Sequence, residues 1–391
     1  MHLRALTLVG IIISTVTGLS LGVLGYLHLY PKAPSHVADT LNAAVAEVAH
    51  NYVDEISEEQ LLQYAIEGMM QGLDEHSDYL GPEAYNSLQA TTTGRFGGIG
   101  IELGVVEDQF TVVAPMDDTP ASKAGIKSGD YIKAVDGERT DEMRMRDIVN
   151  RLRGKPGSDV TLTIAREAEA DKDYTLERAI IRIASVRSRL LAPDFGYLRI
   201  SQFQANTGSD VASHVASLTE DNGGQLAGLV LDLRNNPGGT LQSSVEVADH
   251  FLQQGLIVST AGRQPISEAS YEATEGDILA GQPIVVLING GSASASEIVA
   301  AALKDSDRAT VLGTTSYGKG SVQSVVPLAD DQALKLTTAY YYGPNGETID
   351  KVGVAPDIKA DLDEELLLDR AVELLRSLGQ EQLQARLSAN D

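Results

Sequence analysis

The sequence predicts a multidomain protein of mixed α/β character. An N-terminal helical region follows an apolar segment, then come a compact β-rich module and an α/β core ending in a helical tail. Three observations carry this reading. Apolar residues recur at three- and four-residue steps across residues 36–93, the period of helices packed on one face. Short strands separated by glycine-dense turns fill residues 94–180. From Phe195 the rhythm becomes strand–helix–strand. There, residues 228–233 and 284–288 are continuous apolar runs of the kind buried on both faces of a sheet.

The bulk numbers fit such a chain. Its 391 residues allow two or three domains. Apolar residues make up 43%, enough for real cores, and 37 glycines supply tight turns. A formal charge of −25 argues against an electrostatic grip on nucleic acid or anionic headgroups and fits a solvated acidic surface. There is no cysteine, which removes disulfides, thiol nucleophiles and zinc–thiolate sites together.

Residues 1–35 read as a membrane anchor. Between Arg4 and Lys32, residues 6–29 carry no charged side chain, and about 20 apolar residues cross a bilayer core as a helix. The run ends in LYPKAP with no small-residue cleavage site. The expectation is therefore an uncleaved signal-anchor, with the rest of the chain exported and the membrane contacted through this segment. Flanking charge orients it only weakly.

Residues 36–93 form the helical region. Val37, Leu41, Val45 and Val48 mark one helix, and a second runs from Glu59 to about Leu73, where DEHS breaks it. Residues 94–180 form the β-rich module. It opens with GRFGGIGIEL, places a helix near residues 143–152 and closes with the alternating strand DVTLTI. Residues 181–360 form the α/β core, with the turn NNPGG after one buried strand and INGGSASASEIVAAA at the other. Sites on such sheets lie at the strand C-termini. Residues 361–391 form the helical tail. Its acidic part is either an assembly surface or an amphipathic helix on its own core.

Ser294 can be read in two ways. Ser294-Ala295-Ser296-Glu297 is a capping-box pattern, S-x-x-E before an apolar run, which accounts for the serine as a helix cap. Three features support a chemical role. The stretch follows a buried strand, a helix N-terminus offers free N–H groups and a positive dipole end to an oxyanion, and flanking alanines leave room for a substrate backbone. A serine nucleophile needs a base. His214 and His250 sit in helical patterns on no recognisable motif, and the G-x-S-x-G elbow is absent. Lys319, between glycines in SYGKGS, is the remaining candidate, with a surface-turn lysine as the plain alternative. Only about one ordinary lysine in 2,500 is neutral at pH 7. A working base therefore requires a dry pocket and a partner without charge. Gln323, four residues on, fits that partner role.

The stretch from Asn289 to Gln323, NGGSASASEIVAAALKDSDRATVLGTTSYGKGSVQ, strongly resembles the carboxyl-terminal processing proteases, the S41 serine peptidases. The resemblance covers roughly residues 36–370. It implies a ClpP/crotonase-like α/β protease core and a Ser-Lys dyad of Ser294 and Lys319 supported by Gln323. It also implies an oxyanion hole from the N–H groups of Ala295 and Gly239. GRFGGIGIEL resembles the start of the family's PDZ domain, which implies that Phe96, Gly97, Gly98 and Ile99 receive a substrate's C-terminal carboxylate. Arg153, in LRGKPG, is read either as a link from PDZ position to the active site or as a solvated turn residue. LKLTTAYYYGPNGETIDKVGVAPDI resembles the strands after the lysine. Two departures concern substrate contacts or packing. DEHS has Glu where the family usually has Pro, and AYY at residues 339–341 has Tyr where Arg is common.

The expected function is a serine endopeptidase, tethered at the cell envelope outside the cytoplasm, that cleaves exported proteins near their C-termini. Its partners would be protein or peptide substrates with accessible C-terminal tails, and the family leaves room for an adaptor protein and a homo-oligomer. No cofactor or metal is expected, because the acidic residues are scattered without ligand-spaced His or Cys. Two rivals stand beside this reading. A PDZ scaffold carrying a spent protease would have lost a dyad member. A crotonase-like acyl-CoA enzyme would leave the Ser294/Lys319 pair unexplained.

Overall fold

The structure, a computed structural model, describes residues 35–166 and 169–389. The apolar run at residues 6–29 lies outside these. Among the described residues no helix is long and apolar enough to cross a membrane.

The described residues divide into two compact units, with the boundary between Tyr79 and Leu80. In the first, the expected helices form as α1 (Ser35–Asn51) and α2 (Glu58–Gln71). Ser57 caps α2 in the ordinary way, with extended backbone and a hydroxyl that accepts the Gln60 N–H at 3.1 Å. The DEHS break has a clear cause. The Asp74 carboxylate accepts the N–H groups of His76 and Ser77, each at 2.8 Å, and that local turn stops a helix from continuing.

The second unit opens with α3 (Pro82–Thr93), which Gly94 ends in the left-handed conformation. The β-rich module follows: β1 (Arg95–Gly98), β2 (Ile101–Val106), β3 (Gln109–Pro115), β4 (Tyr131–Val135), α4 (Met145–Leu152), β5 (Asp159–Ala165), β6 (Lys172–Glu177) and β7 (Ala179–Arg182). Strands β2 to β6 pair in the order β2-β3-β4-β5-β6, and β1 pairs antiparallel with β7. The polar/apolar alternation of β5 becomes alternate burial, placing Val160, Leu162 and Ile164 in a core with Val112, Ile132 and Ile148.

The α/β core comprises β8 (Val186–Ala192), β9 (Phe195–Ile200), α5 (Thr207–Asp221), β10 (Gly228–Asp232), α6 (Leu241–Asp249), β11 (Leu256–Gly262), β12 (Ala269–Glu272) and β13 (Ile284–Ile288). It continues with α7 (Ala295–Asp305), β14 (Thr310–Gly313), β15 (Ser321–Pro327), β16 (Ala333–Tyr342), β17 (Ile358–Lys359) and α8 (Glu364–Ala389). The main sheet runs β8-β9-β10-β13-β14-β17, parallel from β9 onward. Helices cover both faces, so β10 and β13 are buried throughout, as their unbroken apolar runs predict. Val211, Val247, Phe251 and Ile298 pack on one face. On the other face Leu367, Leu368, Ala371 and Leu375 of α8 lie against Tyr197, Val230, Val285 and Leu287. The acidic tail is thus an amphipathic helix on its own core. Because β10 and β13 are parallel neighbours, the turns that leave them meet at one sheet edge. A second, antiparallel sheet, in which β15 pairs with β16, β16 with β11 and β11 with β12, carries Gln323 and the strand after it.

Candidate active site

The three serines of SASAS separate by their hydrogen bonds. Ser292 Oγ donates to the Leu233 carbonyl at 2.8 Å, and Ser296 Oγ donates to the Asn236 carbonyl at 2.9 Å. Both hydroxyls tie the loop after β13 to the turn after β10. The Ser294 main-chain N–H instead donates to the Glu297 carboxylate at 2.7 Å. Ser294 also has φ 53° and ψ −112°, a conformation that side-chain-bearing residues rarely adopt. A strained serine on a sharp turn between a buried strand and a helix is the geometry of a nucleophile elbow, reached here without the G-x-S-x-G motif.

Glu297 holds this arrangement together. It is fully buried at the third position of α7. One carboxylate oxygen accepts the Ser294 N–H at 2.7 Å and the Lys319 N–H at 2.9 Å. The other accepts the Gly318 N–H at 2.7 Å and the Ser316 hydroxyl at 2.5 Å. A single carboxyl group therefore joins the main chains of Ser294 and Lys319. The flanking glycines of Lys319 are sterically required: a Cβ on Gly320 would lie 2.2 Å from the Asp350 nitrogen. Burial pushes the Lys319 amine below the usual lysine range. The nearby charge of Lys335 pushes the same way, and Glu297 opposes both. Gln323 Nε2 donates to Ser321 Oγ at 2.9 Å and to Thr337 Oγ1 at 3.3 Å, which fixes the amide on the strand leaving the Lys319 loop.

The turn at residues 235–239 packs directly on the serine. A Cβ on Gly238 would come within 2.9 Å of the Ser294 Cβ and 3.0 Å of the Ala295 nitrogen. The Gly238 N–H is already given to Asn236 Oδ1 at 2.9 Å, so Gly239 supplies the next donor of the turn. Gly239 is pressed on Phe203, where a Cβ would lie 2.0 Å from the carbonyl oxygen. Upstream, Asp232 is buried and receives Arg234 Nε at 2.9 Å, Arg234 Nη2 at 2.6 Å and the Tyr197 hydroxyl at 2.8 Å. Burial alone would raise the Asp232 carboxyl, but the hydrogen bonds and charge of Arg234 outweigh it and hold the group below the usual carboxylate range. This buried ion pair anchors the strand end from which the turn springs.

The two histidines are occupied elsewhere. His214 Nδ1 shares a hydrogen bond with Ser188 Oγ at 2.7 Å, and His250 Nε2 shares one with the Gly208 carbonyl at 2.9 Å. In the β-rich module the residues expected to hold a carboxylate are tied into packing. The Gly97 carbonyl accepts the Gly154 N–H at 3.0 Å and the Ile99 carbonyl accepts the Ala121 N–H at 2.9 Å, while Gly98 pairs with Ala179 of β7. Arg153 stacks on the Phe96 ring, 4.9 Å from its centre. Among the described residues no hydrogen bond or ion pair joins Arg153 to the Ser294 cluster.

Sequence reasoning missed the reach of Glu297 and the Asp232–Arg234 pair. The one available signal was the charged D-x-R at the end of an apolar strand, a costly place for charges without a partner.

Comparisons with known proteins identify the family. The model of peptidase family S41 matches residues 194–360, and a PDZ domain model matches residues 111–166. The carboxy-terminal-processing protease of Bartonella bacilliformis is 44% identical over 313 residues, covering 80% of this chain and 72% of that protein. The carboxyl-terminal-processing protease of Synechocystis is 39% identical over 301 residues, covering 75% and 69%. Among solved structures, a photosystem II D1 C-terminal processing protease is 32% identical, covering 81% of this chain and 85% of its own, with a TM-score of 0.48. The chain therefore belongs to peptidase family S41, the carboxy-terminal processing proteases, and is a serine peptidase that carries a PDZ domain.

Proposed function

We propose that this peptidase works through a Ser294–Lys319 dyad and cleaves exported proteins near their C-termini, with the PDZ domain receiving the substrate tail. Neutral Lys319 takes the Ser294 proton, and Ser294 Oγ attacks the scissile carbonyl. The N–H groups of Ala295 and Gly239 hold the oxyanion, and Lys319 then protonates the leaving amine. A water activated by the same lysine releases the acyl group. Gln323 orients the amine without the charge that would raise its pKa. The observation that carries this reading is the Glu297 carboxylate, which takes the N–H of both Ser294 and Lys319 on one oxygen. The depressed Lys319 amine supports the base role. The apolar run at residues 6–29 supports an anchor that tethers the enzyme at the cell envelope.

The test is cleavage of an unstructured polypeptide by the wild type, Ser294→Ala and Lys319→Ala. Each variant is expected to lose about 10⁴-fold or more in kcat/KM, and the wild-type rate should fall on acidification as Lys319 takes up a proton. Either variant cutting at the wild-type rate would remove the dyad from the mechanism.

A further inference from the structure

Glu297 does not hold the Lys319 loop alone. The turn from Asp350 to Val354 grips residues 316–320 through four further hydrogen bonds. The Lys351 N–H donates to the Gly318 carbonyl at 2.7 Å, and the Gly320 N–H donates to the Asp350 carboxylate at 3.3 Å. Ser316 and Val354 exchange the other two. The Ser316 N–H donates to the Val354 carbonyl at 3.2 Å, and the Val354 N–H donates to Ser316 Oγ at 2.7 Å. The same Oγ gives its own proton to Glu297 at 2.5 Å. This hydroxyl therefore joins the turn to the buried carboxylate, and both Ser316 and Val354 are themselves buried. The approach is close enough to dictate sequence. Gly353 has φ 73°, and a Cβ there would lie 2.7 Å from the Ser316 carbonyl oxygen and 3.0 Å from Ser316 Oγ.

We propose that Ser316 is a positioning residue, whose hydroxyl locks the Asp350–Val354 turn to Glu297 and so holds Lys319 in place for Ser294. The inference rests on the Ser294–Lys319 reading above, and Ser316 acts through Glu297 rather than on the reacting atoms. A serine hydroxyl donates once and accepts besides, and here both capacities are used. The donated bond goes to a carboxylate, which makes it a short, charge-assisted one. Accepting the Val354 N–H polarises the hydroxyl and strengthens that donation. Removing the oxygen therefore breaks two bonds together. The Glu297 oxygen that Ser316 shares with Gly318 keeps only the Gly318 N–H, and the Val354 N–H loses its acceptor. The turn can then drift from the loop, and the Lys319 main chain moves with it. Proton transfer from Ser294 is sensitive to such drift, so the chemical step suffers more than substrate binding.

The test uses a fluorogenic peptide for kcat and KM, and diisopropyl fluorophosphate for direct reaction with Ser294, each expressed per folded molecule. Ser316→Ala should lower kcat and the phosphorylation rate about 10- to 30-fold with KM within about twofold. Gly353→Ala leaves the Ser316 hydroxyl in place but pushes the turn away from it, and should lower both rates about 5- to 10-fold. Wild-type kcat and phosphorylation per folded molecule in Ser316→Ala, with Ser294→Ala and Lys319→Ala inactive, would overturn this proposal and leave the dyad standing. A loss confined to KM would overturn it as well. Full turnover in Ser294→Ala or Lys319→Ala would overturn both readings. Should Ser316→Ala fail to fold, Gly353→Ala decides, and wild-type rates in that variant would overturn the proposal.

Discussion

Two helices of this molecule begin with the same sequence signature and use it differently. Ser57-x-x-Gln60 opens α2 and Ser294-x-x-Glu297 opens α7, and both match the capping box. At Ser57 the backbone is extended, with φ −78° and ψ 153°, and the hydroxyl is committed to the Gln60 N–H. At Ser294 the backbone is left-handed, with φ 53° and ψ −112°. There the third residue takes the Ser294 N–H on its carboxylate. One serine serves its helix, and the other is served by it. Strain of this kind costs about 1–3 kcal/mol and persists only where the surroundings enforce it.

The largest effect expected from this contrast is at Ser294 itself. Glycine adopts a φ of +53° without penalty, so Ser294→Gly should abolish peptide cleavage while raising the denaturation midpoint. A variant that loses both activity and stability would break the comparison, because it would make Ser294 an ordinary cap.

Glu297 comes next. Its two oxygens take four donors, from Ser294, Ser316, Gly318 and Lys319. Glu297→Gln keeps the shape but replaces one acceptor oxygen with a donor NH₂, which faces donors already pointing at it. A buried donor left without an acceptor costs about 1–3 kcal/mol, so stability should fall. The dyad should also loosen, lowering kcat by about 100-fold, since small misplacements of reacting groups have effects of that size. Unchanged turnover in this variant would show that the carboxylate caps α7 and does no more.

The limits of sequence reasoning follow from where these partners lie. Buried strands and the sheet edge were legible because each is encoded in a short local pattern, whereas Ser294, Lys319 and Gln323 stood out through the family resemblance of one continuous stretch. Glu297 was legible as the end of a capping box, but its bonds to residues 316–319 reach across the rest of α7 and the whole of β14, a distance that no local pattern spans. The tail was ambiguous for the same reason. The apolar spacing of Leu367, Leu368, Ala371 and Leu375 announces a buried face but not what covers it, and the structure supplies the far face of the main sheet. In the Phe96–Ile99 segment, Gly97 is glycine because Gly154 crosses it closely, with a Cβ position 1.9 Å from the Gly154 oxygen.

Lys319 gives a smaller effect with a definite sign. Burial lowers its folded-state pKa below the unfolded value, so between the two values the unfolded chain binds more protons and stability rises with pH. That window closes at the ordinary lysine pKa of about 10.4. Lys319→Met has no proton to discriminate. It should therefore be more stable than the wild type near neutral pH, and the gain should shrink as pH approaches the lysine range. Parallel denaturation curves at pH 7 and above pH 10 check this. A gain that grows with pH would mean that the amine is stabilised as a cation, which is incompatible with a neutral base.

The smallest effect belongs to the other serine. Ser57→Ala removes the acceptor of the Gln60 N–H at the start of α2, and loss of such a cap costs about 1 kcal/mol. Amide exchange at Gln60 should quicken by roughly fivefold for that loss, while the rate of peptide cleavage per folded molecule stays at the wild-type value. The two serines are thus distinguished by opposite responses. Removing the Ser57 hydroxyl should weaken a helix and spare the chemistry, whereas exchanging Ser294 for glycine should end the chemistry and relax the backbone. A Ser57→Ala enzyme with lower turnover per folded molecule would show that capping of α2 also reaches the active site, and the separation of roles between the two signatures would fail at its cheapest point.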